Sequence, residues 1–454
     1  MRVLQSVVAG LGFTLACGVA TAAVSQQEAD ELGKSLTPWG AEVAGNADKT
    51  IPAYTGGLPA STDPAGWKKG SGRWDVGPFD QEKPLYSITA ANYDTYSKRL
   101  TPGTIAMLKK YPEFRVDVYP THRSVSYDQS WLSHCKDNAQ SAKLGGSGDA
   151  VEAAHSCVPF PIPKTGTEVM WNAALHNTFG VSSSLMLSFW LVDADSNVTD
   201  IGHVSLNYAY PYRDPAKNAG STDYYTYELA RWLGPSSQVG TKILTVFPMD
   251  WARNQQLSWV YTPGTRRTRL APEFSYDTPI ASNGGALNYD EPYGFAGQLD
   301  RYNFKLVGKK EIYIPYNAGR MMFASPDKML AKRVFNPDVS RWELHRVWVV
   351  DATLKDGKRH SQPHRTFYVD EDTWAISAVD GFDQSSNLVR VQYDPIFPVW
   401  DAGTSAQGVL IYDLSKGTLY INSMSRPTDY VRSSDALGDM NQFTPAALTS
   451  SGVR

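Results

Sequence analysis

The sequence predicts a mainly β protein with some α structure: one large curved antiparallel sheet with helices packed against one face. Three observations predict it. Beyond residue 180, two series of short segments rich in β-branched and aromatic residues alternate apolar with polar positions at period two. Gly, Pro, Asn and Asp punctuate these segments and no helical pattern intervenes, so hairpins rather than βαβ crossovers connect them. Helical periodicity is confined to the first 180 residues.

The elements follow in order. Residues 23–36 read as a short polar helix, and the Gly- and Pro-rich stretch from Thr37 to Gly57 as an extended arm. Tyr93, Tyr96 and Leu100 predict a helix over 89–100 that stops at Pro102-Gly103, and a second short helix over 104–111 is closed by Pro112. A strand is expected over 115–119, then helices over 128–143, 149–156 and 165–178. The last has Met170, Trp171, Ala174 and Leu175 on one apolar side. Strands are predicted over 184–193, 203–212, 221–230, 242–247 and 258–262. The second series covers 310–315, 341–354, 364–370, 374–380, 387–393, 409–414 and 418–421. In 341–354, Trp342, Leu344, Trp348, Val350, Ala352 and Leu354 share one face and Glu343, His345, Asp351 and Thr353 the other, which predicts a strand wet on one side. Asp356-Gly357 supplies the turn after it. No linker divides the chain, so 23–454 is expected to be a single domain with the arm and helices ahead of residue 180.

The chain has 454 residues and a formal net charge of −3, with 43 basic and 46 acidic side chains. That balance gives a phosphate backbone nothing to bind, and nucleic acid is excluded as a partner. The first 22 residues read as an export signal: Arg2, an apolar run from Val7 to Ala16, and small residues Ala20-Thr21-Ala22 before cleavage. The mature protein is expected to be soluble in the periplasm, and acylation of Cys17 is the alternative. In that oxidising compartment Cys135 and Cys157 are expected to pair, closing a loop whose constraint stabilises the fold by roughly 3 kcal/mol. His134 and His155 beside them raise a Cys2His2 zinc site as the alternative, which the adjacent His-Cys spacing disfavours.

Motifs for chemistry are absent where they are most often found. Gly145-Gly146-Ser147-Gly148 lacks the spacing of a nucleophile elbow, and the Gly234 to Lys242 stretch is followed by a strand rather than a phosphate-binding helix. Asp193, Asp195 and Asn197 begin like a calcium loop, but Val198 and Val204 occupy its Gly and Glu positions, so a hairpin turn is expected. His360 and His364 have helical metal spacing that Pro363 prevents from being helical. No catalytic residue, metal or cofactor is assigned. The informative constellation is apolar. Leu187 and Phe189 lie in one row, Leu206 and Tyr208 in a second, and Trp259 and Tyr261 in a third. Such rows line either a filled core or a cavity for a long apolar ligand. Arg266 and Arg267, after Pro263-Gly264, are placed to meet an acidic headgroup at its rim.

Several stretches carry a resemblance. They are Leu36-Thr37-Pro38-Trp39-Gly40-Ala41-Glu42, Ile51-Pro52-Ala53-Tyr54-Thr55-Gly56-Gly57, Pro159-Phe160-Pro161-Ile162-Pro163-Lys164, Trp171-Asn172, Trp259-Val260-Tyr261 with Arg266-Arg267, and Arg341-Trp342-Glu343-Leu344-His345-Arg346-Val347-Trp348. With them the chain resembles the bacterial domain-of-unknown-function family 1329, whose members look like relatives of the LolA/LolB outer-membrane lipoprotein-carrier superfamily. The resemblance implies an incomplete β-barrel with helices on its concave face and an apolar interior. It also implies traffic of hydrophobic molecules through the envelope, with an outer-membrane barrel protein and a resistance-nodulation-division transporter as partners. Thr265 and Thr268 flank the Arg pair where relatives are more basic, and the chain is much longer than a simple lipoprotein carrier, which speaks against lipoprotein as cargo. The expected function is therefore a non-catalytic periplasmic carrier of a lipid or other hydrophobic molecule. An envelope carbohydrate-active hydrolase and a structural accessory subunit of a transporter are the alternatives.

Overall fold

The computed structural model describes residues 24–450; the expected signal segment 1–22 and Cys17 lie outside the described residues. Sixteen strands form the main sheet. The first half contributes β1 (Tyr86–Ile88), β2 (Val116–Val118), β3 (Ser182–Val192), β4 (Val198–Ala209), β5 (Tyr224–Gly234), β6 (Lys242–Pro248), β7 (Leu257–Thr262) and β8 (Arg267–Leu270). The second contributes β9 (Tyr302–Pro315), β10 (Trp342–Leu354), β11 (His364–Asp370), β12 (Ile376–Phe382), β13 (Leu388–Tyr393), β14 (Val409–Asp413), β15 (Thr418–Ser423) and β16 (Tyr430–Ser434). Spatial order runs β9-β10-β11-β12-β13-β14-β15-β3-β4-β5-β6-β7-β8. The hairpin β1-β2 joins β10 through the one parallel contact, Val118 with Trp342, and every other strand pairing in this sheet is antiparallel. The two strand series foreseen in the sequence meet where β15 pairs with β3, with Asn422 opposite Phe189.

The sheet stays open, as expected of an incomplete barrel, because β8 and β9 each pair on one side only. Both edges are blunted against pairing with another chain. On β9 a bulge at Gly308 breaks the ladder and Lys305, Lys309 and Lys310 carry charge. On β8, Arg267 and Arg269 are exposed, and the C-terminal helix Pro445–Ser450 packs beside the strand.

Helices flank this sheet: α1 (Pro102–Lys110), α2 (Cys135–Ser141) and α3 (Gly166–Leu175). In α3 the Thr165 hydroxyl accepts the Glu168 N–H and Glu168 answers by accepting the Thr165 N–H, so both free ends of the first turn are satisfied. Its buried side, Val169, Met170, Trp171 and Leu175, packs toward β9 and β10. Strand alternation places α1 on the other face: Gly103 N–H donates to Asp380 and Tyr393 donates to Thr104, whereas Val379 and Gln392 point the opposite way. No helix among the described residues is long and apolar enough to cross a membrane.

Three local expectations are corrected. Residues 149–156 are not helical: Ala150–Glu152 is a strand paired with Lys143–Gly145, because Gly146 and Gly148 adopt positive φ and reverse the chain. In 23–36 only Gln26–Ala29 is helical, one capped turn without an apolar stripe to extend it. Third, the face of β10 expected to be wet is dry at its start, with Glu343 and His345 at 0% and 1% exposure. The polar row was read correctly and its solvent was not, since the arm and neighbouring loops cover it.

Cys135 and Cys157 form a disulfide with their Cα atoms 5.0 Å apart, which leaves the alternative zinc site without thiolates. A Cys135→Ala/Cys157→Ala double variant is expected to lose about 3 kcal/mol of stability. Urea unfolding checks this, and an unchanged midpoint would show that the hairpin is held by packing alone.

Candidate functional site

The cavity of interest lies on the α3 side of the sheet. Register explains which residues reach it. Leu206 aligns with Ala230, Ile243 and Val260 across β4 to β7, and Tyr208 with Glu228, Thr245 and Ser258. These rows share one face because side chains alternate along a strand. On β4 the positions Val204, Leu206 and Tyr208, continued by Tyr210, form the floor, with Phe189 of β3 and Trp232 of β5 beside them. Trp171, Ala173 and Ala174 of α3 wall one side. The segment after β8 covers the rest with Ile280, Leu287, Tyr293 and Phe295. The cavity is partly open and its volume is about 200 Å³.

The sequence-level residues are distributed as follows. Phe189, Leu206 and Tyr208 line the cavity; Leu187 is buried in the adjoining core. Trp259 pairs with Leu244 and Tyr261 with Lys242, so both face the other side of the sheet, where they pack with Phe443 and Leu448. Arg266 sits on the exposed turn between β7 and β8 and Arg267 begins β8, both outside the cavity wall.

Three titratable groups in the wall escaped the sequence reading. Glu228 is pushed up to about 7 by burial, which the Tyr208 hydrogen bond offsets only in part. Arg213 is brought down to about 10 by burial. It follows β4 in a short 310 turn, donates through Nη1 to the carbonyls of Thr178 and Gly180, and lies 3.6 Å from the Tyr210 ring centroid. His176 is held down at about 3 by burial and by the charge of Arg213, so it is neutral. Two aromatic residues of the wall, Phe179 and Tyr293, have left-handed backbone at φ 67° and 53° and meet edge to face at 5.5 Å. Such strain costs on the order of 1–3 kcal/mol each and is held by the surrounding structure. Only Glu228 carried a signal in the sequence, as an acid within the predicted strand 221–230.

A second polar cluster lies under the N-terminal arm. Trp374 donates its indole N–H to the Trp39 carbonyl, and a Cβ on Gly40 would lie 1.8 Å from the Pro161 carbonyl oxygen, so the arm sits at closest approach there. Beneath it Arg123 grips Asp372 with three hydrogen bonds (3.2, 2.9 and 2.6 Å), Lys309 bridges Glu371 and Glu42, and Arg341 pairs with Glu343. His345 stands between Glu343 and Asp370 at 3.5 and 3.4 Å and stacks on Tyr316. His345, Asp370 and Asp372 present donor atoms within 4.8 Å of one another, as a metal site would. Asp372 already spends both oxygens on Arg123, however, and cations alternate with acids throughout, so the cluster reads as an ion network that anchors the arm.

Comparison with known proteins agrees with the resemblance seen in the sequence. Among solved structures, an outer membrane lipoprotein-sorting protein domain from Vibrio parahaemolyticus superposes with a TM-score of 0.43 at 14% identity, covering 62% of this chain and 97% of that one. A DUF1329 family protein from Desulfovibrio piger gives 0.40 at 15% identity, over 59% of this chain and 92% of that one. An uncharacterised protein of Pseudomonas aeruginosa is 36% identical over 465 aligned positions, which cover 98% of this chain and 97% of the relative. The model of a family described as a protein of unknown function, DUF1329, matches residues 87–449, and with that span and that relative the chain belongs to the DUF1329 family.

Proposed function

We propose that the protein is a non-catalytic carrier of a lipid or other hydrophobic molecule, acting in transport through the cell envelope after export to the periplasm. The largely apolar cavity on the α3 side of the sheet carries the proposal. Removing an apolar ligand from water into it is favourable by roughly 25 cal/mol per Å², and Phe189, Leu206 and Tyr208 are the proposed contacts. Its 200 Å³ is below the ~300–1,000 Å³ that drug-sized ligands occupy, so the cargo is a slim, single-chain molecule rather than a multi-chain lipoprotein anchor. Glu228 is the one carboxylate among the described lining residues, whereas the usual glycoside-hydrolase arrangement pairs two. An outer-membrane barrel protein and a resistance-nodulation-division transporter are the proposed partners.

Native mass spectrometry of protein extracted from its own periplasm is expected to show a bound small amphiphile, and the stripped protein should take up a fluorescent fatty acid. Ala230→Phe, which fills the cavity floor, is expected to weaken uptake at least tenfold while leaving the circular dichroism spectrum intact. Absence of both copurifying ligand and uptake would overturn the carrier reading.

A further inference from the structure

Arg213 is the group the fold leaves unexplained. It is 4% exposed and lines the cavity. Its recorded partners are two neutral carbonyls and Tyr210, through both ring and hydroxyl, and all of them are uncharged. No carboxylate among the described residues lies within the 4.0 Å of an ion pair with it. Other buried arginines of this chain are matched: Arg123 by Asp372, Arg365 by Asp290, Arg390 by Glu291. Glu228 shares the cavity but does not serve, because its environment is set by burial and Tyr208. A buried cation without an anion is costly unless something pairs with it.

The apolar wall extends away from this charge. From Tyr210 back to Val204 is six residues of extended chain, about 20 Å at the usual rise per residue, and Trp232, Phe189 and Ile280 belong to the wall beyond. The arrangement is a positive end followed by a mainly apolar channel, in which Glu228, opposite Tyr208, is the one acid among the described lining residues.

We propose that Arg213 is the headgroup anchor of the cavity, binding a single-chain amphiphile through an anionic group while its tail lies along β4 toward Trp232. Carboxylate, sulfonate and phosphate all offer the planar or forked oxygens that a guanidinium recognises. This deepens the carrier reading and rests on it.

The test uses probes of one chain length: decanoate, decyl phosphate, decanol and decylamine, titrated into stripped protein by calorimetry at fixed pH and salt. Decanoate or decyl phosphate is expected to bind at least tenfold tighter than decanol, and decylamine more weakly still. The better of the two anions identifies the natural head. Arg213→Met is expected to erase the preference while decanol binding persists, and Arg213→Lys to keep part of it. Because Arg213 also ties down two carbonyls, the wild-type comparison stands by itself if Arg213→Met fails to fold. Equal binding of anion and alcohol by the wild type, or a preference that survives Arg213→Met, would overturn the anchor while sparing the carrier. Binding of none of the four probes would instead overturn the carrier reading beneath it.

Discussion

Asp372→Ala is expected to lower folding stability by about 3–5 kcal/mol, the usual consequence of removing one partner from a buried ion pair. The Arg123 and Asp372 side chains are 2% and 1% exposed and share three hydrogen bonds. Without the carboxylate, the guanidinium keeps Glu371 at 3.5 Å and the Val43 carbonyl at 3.4 Å, too distant to replace what is lost. The arm is affected as well, because Arg123 also lies over the Tyr54 ring. Urea unfolding of the variant and the wild type measures the loss. The double variant Arg123→Met/Asp372→Leu removes both charges and is expected to recover most of it. A single-variant loss below about 1 kcal/mol would show that water reaches Arg123 and that the arm covers the network only loosely.

Stability is expected to fall as pH rises from mildly acidic to alkaline, which is the second large effect. His345 is buried, which disfavours its charged form. The hydrogen-bonded carboxylates of Asp370 and Glu343 outweigh that burial and hold the imidazole up to about 9, against 6.5 for the free group. A raised histidine contributes stability that is complete below 6.5 and lost as pH passes through 9, about 3 kcal/mol in total. Buried carboxyls, Glu228 and Asp380 among them, act in the same direction at lower pH. Burial raises Glu228 to about 7 from 4.5, and Asp380 to about 7 from 3.8 against the pull of the Gly103 N–H and Tyr368. The folded state holds their protons where the unfolded chain has released them, so stability declines between about pH 4 and 7 as well. His176, held at about 3 by burial, works oppositely up to about pH 6.5 and offsets part of that decline, and carboxylates held below their ordinary values, Glu343 among them, erode stability only at acid pH. Urea midpoints at pH 6 and pH 9 check the sum, and His345→Gln should be less stable than wild type yet nearly flat from pH 8 to 9, where Glu228 and Asp380 have finished titrating and the wild type still declines. A wild-type curve that rises toward pH 9 would contradict the assignment of a charged His345.

How much of this was legible in the sequence depends on the range of the interaction concerned. Period-two alternation is local, so strands such as 184–193 and 242–247 and the hairpin turn at Asp193 could be read directly, and Asp193 indeed accepts N–H groups from Asp195 and Asn197. Alternation also grouped Leu187 with Phe189, Leu206 with Tyr208, and Trp259 with Tyr261. It could not say which face each row joins, because a shift of one residue in strand pairing exchanges the faces. The observed register aligns Leu206 with Val260 and therefore turns Trp259 away from the cavity.

Burial of polar groups was equally out of reach. Glu343 and His345 alternate with apolar residues as on any half-wet strand; the arm that dries them comes from some three hundred positions earlier in the chain. Arg213 looked like one more basic residue in a polar turn until the fold enclosed it. By itself, then, the sequence determined the secondary-structure class, the hairpin order within each strand series and the family, which follow from local periodicity, turn chemistry and motif, and it made Cys135–Cys157 the expected pair from cysteine count and compartment. The tertiary structure decided where the two series join, which rows face a cavity and which charges lose water. Those outcomes depend on strand register and long-range covering, and no local pattern encodes either.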